Sequence, residues 1–136
     1  MLTLESFNKV GAGKLPDHLG IIITHVSEAE IVAELPVIET LMAPNGFLHA
    51  GAVVTLADTC AGYGCIANLP PGATGFTTIE LKSNHLGTAR EGIIVGTAKP
   101  AHLGKTTQVW DAVVTLKESG KTLALFRCTQ MILYAK

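Results

Sequence analysis

The apolar run from about Ala50 to Ala67, entered through the Pro44-Asn45-Gly46 turn, limits the fold of this chain more than any other stretch. It holds one carboxylate, Asp58, and no basic residue. Its length suits a helix, and its Val, Leu, Ala and Cys content would bury that helix on most sides. At about 100° per residue, Val53, Leu56, Ala57, Cys60 and Gly64 share one side, and Gly51, Thr55, Asp58, Gly62 and Cys65 share another. A surface helix would carry several charges on the second side, and a helix wholly inside a core would carry none. A face of small residues with one acid therefore predicts a close-packed partner and a buried or half-buried carboxylate. Taken alone, a lone helical Asp is structural more often than catalytic.

The flanking sequence reads as strands. Leu19 to Val26 and Glu30 to Val37, joined by a turn at Glu28-Ala29-Glu30, form a hairpin before the helix, and residues 1–18 read as a short helix and a loop. After the turn-rich segment 68–75 come strand-like stretches over Phe76 to Leu86, Glu91 to His102, Thr106 to Lys117 and Thr122 to Tyr134. Short connections favour an antiparallel meander for these four strands. One buried helix against one curved antiparallel sheet is an α+β arrangement in a single domain spanning residues 1–136. No internal repeat or linker interrupts it.

Only 15% of the 136 residues are charged, while 48% are hydrophobic, so a domain of this size has trouble covering its own surface. An oligomer with an apolar interface is expected. A net charge of −1 gives no electrostatic footprint for nucleic acid. No charge-free run reaches the length of a membrane span, and the N-terminus lacks the basic-then-apolar order of a signal peptide, so a cytoplasmic protein is the expectation. Cys60, Cys65 and Cys128 have no metal-type spacing and read as buried free thiols. His18, His25 and His102 likewise show no metal-site spacing. Cys60 falls on the core side of the helix with no His one turn away, which argues against a thiol nucleophile. Trp110 and Phe126 read as core aromatics.

Several motifs taken together resemble one family. They are Gly46-Phe-Leu-His49-Ala50-Gly51, the helix carrying Ala57-Asp58-Thr59, the strand Thr77-Thr-Ile-Glu-Leu-Lys82 and the turn His102-Leu-Gly-Lys-Thr106. Over nearly the whole chain they resemble the hotdog-fold acyl-CoA thioesterases, and look most like the phenylacetate-pathway type related to 4-hydroxybenzoyl-CoA thioesterases. Members usually carry His-Gly-Gly at the helix start and an Asp or Glu eight residues past the first Gly; here His49-Ala50-Gly51 and Asp58 hold those places.

The resemblance implies hydrolysis of an acyl-CoA thioester to a free acid and coenzyme A, with coenzyme A as part of the substrate and no other cofactor or metal. It implies a homodimer, further paired into a tetramer, with the site at the dimer interface. Asp58 would act as nucleophile or general base, and the Ala50 backbone amide would polarise the carbonyl from the helix N-terminus. Thr78 matches a hydroxyl that holds water. His49 and Gly51 would contact substrate or shape the turn, and Asn84 and His85 would line the pocket mouth. Arg90, His85 and Lys105 would meet coenzyme A phosphates, with Gly104 as the turn glycine before Lys105. The chain departs from the pattern twice: Ala50 replaces the first Gly, and Ala43 stands where relatives place an Asn or Gln, for which Asn45 is the nearby substitute. A non-catalytic acyl-CoA binder and a hotdog hydratase or dehydratase are the rival readings; the latter wants a strand His opposite the acid, which is not evident.

Overall fold

A computed structural model describes residues 2–136. Helices α1 (Leu4–Val10) and α2 (Leu15–Leu19) precede strands β1 (Ile22–Val26) and β2 (Ile31–Pro36). The long helix α3 (Ala50–Ala67) follows, then β3 (Ala73–His85), β4 (Ile93–Leu103), β5 (Thr107–Leu116) and β6 (Thr122–Tyr134). All six strands form one antiparallel sheet in the order β1-β2-β4-β5-β6-β3, with α3 packed on its concave face. This is the hotdog fold in the α+β class.

The meander expected for the last four strands is corrected at its first member. β4, β5 and β6 do run as a meander, but β3 pairs with β6 at the far edge and β4 pairs with β2. Helix α3 carries the chain across the sheet, and segment 86–92 brings it back. That return is tied down at each end of its course: Leu86 N–H donates to Leu123 O, Leu48 N–H to Ala89 O, and Val37 N–H to Gly92 O. Short connections favoured the hairpin order because a crossing held by such long-range bonds has no local sequence signal.

α3 begins at Ala50 because His49 caps it: the Gly51 N–H donates to His49 Nδ1 at 2.7 Å. It ends at Asn68, whose side-chain amide donates to Gly64 O and Glu28 O at 2.9 and 2.8 Å. By length and composition α3 could cross a membrane, but it is a core helix with over half its residues buried against the sheet. Leu56, Cys60 and Ala61 are fully buried against strands that contribute Leu35, Ile94, Trp110 and Val114, each a burial worth roughly 1.5–3 kcal/mol for the large side chains. Gly64 lets the Trp110 indole lie flush against the helix; a Cβ there would sit 2.5 Å from the ring. The three thiols are free and buried, and Trp110 and Phe126 lie in the core, as the sequence indicated.

The N-terminal segment closes one end of this layer. Phe7 is buried and stacks on Tyr63 of α3 with ring centroids 5.0 Å apart. The Asn8 carboxamide clamps β1, donating to Ile23 O and accepting from Ile23 N–H at 3.1 and 2.9 Å. None of residues 2–20 reaches the cavity at the other end of α3 described next.

Candidate active site

Asp58 is half-buried, and its Oδ1 is enclosed with no hydrogen-bond partner among the described residues. Burial alone raises its carboxyl above the ordinary value. The Asp58 charge reaches Cys128 of β6, whose thiol is pushed up to about 12, first by burial and then by that charge. Burial also pushes Cys60 up to about 12, which leaves it inert as a nucleophile.

Register carries the placement further. One turn beyond Asp58, Gly62 faces the Phe76 ring of β3, where an added Cβ would meet Cζ at 3.1 Å. One helical turn back is about 5.4 Å and two residues along a strand are about 6.6 Å, a spacing that points to Thr78 as the β3 residue nearest the level of Asp58. Thr78 pairs with Gln130, and Leu81 pairs with Cys128. A bulge between Thr78 and Glu80 inserts Ile79 into the edge strand at this level. The Thr78 hydroxyl donates to Gln130 Oε1 at 2.6 Å, and Gln130 Nε2 donates to Cys128 Sγ at 3.4 Å. Gln130 is fully buried. Sequence reading missed it because a polar residue at a β-period inward position looks the same as a misplaced surface residue until its partner on another strand is known.

The helix N-terminus opens on a separate hollow of about 390 Å³, lined by Ala43, Asn45, Phe47, Leu48, His49, Ala50, Val53, His85, Gly87 and Thr88. Its amides can be accounted for one by one. Gly51 N–H goes to His49 Nδ1, and Ala52 and Val53 N–H go to His49 O. The Ala50 N–H has no acceptor among the described residues, and Ala50 is exposed at the hollow. Asn45 Oδ1 accepts from Phe47 N–H at 3.1 Å, which leaves its amide hydrogens free at the same wall. Arg90 caps the neighbouring depression, its guanidinium carbon 4.2 Å from the Phe47 ring centroid.

The remaining candidates are dispersed. His85 lines the Ala50 hollow, but Asn84 lies on the opposite face of the sheet beside Lys82, Asp111 and Arg127. Strand alternation puts these two side chains on opposite faces of the sheet within one protomer. Gly104 and Lys105 sit in the β4–β5 turn, where Gly104 N–H donates to Thr107 O at 2.9 Å and the Tyr134 hydroxyl donates to Lys105 O. A Cβ at Gly104 would lie 2.8 Å from Thr107 O, so the turn needs glycine there. Since β6 runs from Ala124, beside His85, to Tyr134, beside Lys105, the two basic clusters stand roughly 33 Å apart in one protomer. Among the described residues, no group of three or more His, Cys, Asp or Glu is arranged to hold a metal ion.

Comparison with known proteins decides the family. The model of the thioesterase superfamily matches residues 45–123, which include the α3 N-terminus, Asp58, Thr78 and β3 to β5. The chain belongs to the thioesterase superfamily. Within this superfamily it is 36% identical over 135 residues to 1,4-dihydroxy-2-naphthoyl-CoA hydrolase of Escherichia coli, covering 97% of this chain and 96% of that one. It is 30% identical over 132 residues to the proofreading thioesterase EntH of Cronobacter sakazakii, covering 97% and 95%. The crystal structure of a Haemophilus influenzae thioesterase superposes with a TM-score of 0.92 at 31% identity, covering 98% of this chain and 92% of that one. As a thioesterase-superfamily member the chain shares its hotdog fold with these relatives.

Proposed function

We propose that the protein is a homodimer that hydrolyses acyl-CoA thioesters, each site combining the Ala50 amide of one protomer with the Asp58 carboxylate of its partner. The observation that carries this reading is a distance. Ala50 and Asp58 are eight residues apart on one straight helix, about 12 Å along its axis, and the hollow at Ala50 does not include Asp58. An oxyanion donor and the group that attacks or activates water must both lie within about 3–3.5 Å of the same carboxyl centre. One protomer cannot supply both.

A two-fold axis through the outer edge of β3 removes the difficulty. β3 pairs only with β6 and leaves its other edge open, with Ile79 and Leu81 exposed at 53% and 42%. Such an edge is a template for a second strand, and antiparallel pairing with the same strand of a second copy is self-complementary. It sets the Thr78 end of one β3 against the His85 end of the other, and so sets Asp58 of one helix near the Ala50 hollow of the other. The same operation brings His85 and Arg90 of one copy toward Lys105 of its partner, so both clusters can reach the phosphates of one coenzyme A. The exposed Val113, Leu125, Met131 and Leu133 on the outer sheet face offer a second apolar surface for pairing dimers.

In this site the Ala50 N–H and the α3 dipole take the charge that develops on the thioester oxygen. Asn45 is the available side-chain donor beside it. Asp58 acts as base or nucleophile, the C–S bond breaks, and the products are the acid and the coenzyme A thiol. The chain's departure at Ala50 leaves the amide in place, since position 50 is the first helical residue and needs no positive φ. Because the Escherichia coli relative is named for an aromatic acyl-CoA, aromatic acyl-CoAs are the first substrates to assay.

Subunit mixing tests the assignment directly. Ala50→Pro removes only the amide hydrogen: proline is tolerated at the first helical position, and His49 already has φ −65° and ψ 134°, which a following proline accepts. Ala50→Pro and Asp58→Asn homodimers should each lose about 100-fold or more in kcat. A heterodimer with one of each, co-expressed and purified through two tags, keeps one intact site and should recover about half of wild-type turnover. No recovery would return both groups to one protomer, and acyl-CoA binding without any turnover in the wild type would make the protein a binder.

A further inference from the structure

We propose that Gln130 is a positioning residue that fixes the direction of the Thr78 hydroxyl hydrogen and thereby selects water as the attacking group. The inference rests on the reading of Asp58 given above, and it decides between the two roles left open for that acid.

The contact has the hydroxyl as donor and the carboxamide oxygen as acceptor. At 2.6 Å the Thr78 Oγ1 to Gln130 Oε1 separation is that of an O–H···O bond, whereas N–H···O bonds run from about 2.7 to 3.2 Å. At the other end of the carboxamide, Nε2 lies 3.4 Å from Cys128 Sγ. A hydroxyl has one hydrogen and two acceptor lone pairs. With its hydrogen given to Gln130, Thr78 offers only lone pairs to the cleft. The bulge at Ile79 twists the edge strand just beyond Thr78, at the level of Asp58.

Gln130 is an expensive choice for structure alone. It is fully buried, its acceptor meets one hydroxyl, and its amide meets a sulfur, which is a weak acceptor. A Met of the same length would fill the space without a polar group to satisfy. What Gln130 supplies and Met cannot is a fixed acceptor for the Thr78 hydrogen.

The consequence for the reaction is geometric. A water between Asp58 and Thr78 must donate one hydrogen to the Asp58 carboxylate and the other to Thr78 Oγ1. Its remaining lone pair then faces outward, toward the thioester carbonyl. As the water oxygen bonds to the carbonyl carbon, Asp58 takes one proton. The C–S bond then breaks and that proton passes to the leaving sulfur, giving the carboxylic acid and the coenzyme A thiol. If the hydroxyl hydrogen were free, Thr78 could donate to the water oxygen and occupy the lone pair that must attack.

A double-mutant cycle with acyl-CoA turnover as readout tests this. Gln130→Met should lower kcat by about 10- to 100-fold with KM changed by less than about threefold, while melting stays cooperative. Thr78→Val should cost a similar factor, and the double variant should be no worse than Thr78→Val alone. Gln130→Leu serves in the same cycle if the Met variant does not fold. Undiminished kcat in the folded Gln130 variant, or losses that multiply in the double variant, would overturn the proposal. So would a single-turnover reaction in heavy-oxygen water that puts the label in Asp58 before the product acid. Asp58→Asn in parallel separates the two levels: if it retains turnover, the assignment of Asp58 fails; if it loses turnover while Gln130→Met does not, only the role of Gln130 fails.

Discussion

At the scale of single residues, Asp58 is destabilising where it stands. Burial raises its carboxyl pKa, and nothing among the described residues compensates the enclosed Oδ1. A carboxyl that binds its proton more tightly folded than unfolded adds stability below its unfolded value, near 3.9. That contribution is lost as pH rises through the window between the unfolded and the raised folded value. Asp58→Asn should therefore be more stable than wild type at pH 7.5, with the gain shrinking toward pH 4. Urea melts of both proteins at the two pH values measure it, and a variant less stable at pH 7.5 would mean the carboxylate has a favourable partner. The same shift should appear in catalysis as an acid limb of kcat above the ordinary carboxylate range, absent in Asp58→Asn. The sequence made this acid conspicuous because it stands alone in an apolar helix. It could not reveal Gln130, whose meaning lies in a hydroxyl on a neighbouring strand.

At the scale of elements, helix α3 is held by what its small residues admit. Gly64→Ala would drive a methyl into the Trp110 ring, which is fully buried and tied by its Nε1 donating to Gln108 Oε1 at 2.8 Å. The ring cannot yield without breaking that bond, so the substitution should cost about 1–3 kcal/mol despite alanine's better helix propensity. Thermal unfolding checks this, and a neutral result would show that the indole can shift. The limits of α3 and the span of β6 were legible because turns and two-residue alternation are written locally, whereas α2 falls in the segment read as a loop. β3 extends three residues earlier than its pattern indicated. Its start at Ala73 is set by pairing with Tyr134, and Gly75 carries no hydropathy signal of its own.

At the scale of the whole molecule, the open edge of β3 is the decisive feature. Ile79→Lys puts a charge on that edge, a change that discourages strand addition without touching the core. Sedimentation should find a smaller assembly for this variant, and under the proposed two-protomer site turnover should fall with it. A variant that remains dimeric and active would move the interface elsewhere. The low charge content pointed to an oligomer but gave no hint of which surface pairs.

The chain's own order of residues determined the helix, its lone acid, the strand periods and, through motif spacing, the family. Those features depend on neighbours a few positions away, within reach of one turn or one pleat. Tertiary structure alone decided that β3 lies beside β6 and that Gln130 holds Thr78. These depend on contacts between residues distant along the chain, where burial and pairing free energy are set by the packed whole and no local pattern records the partner.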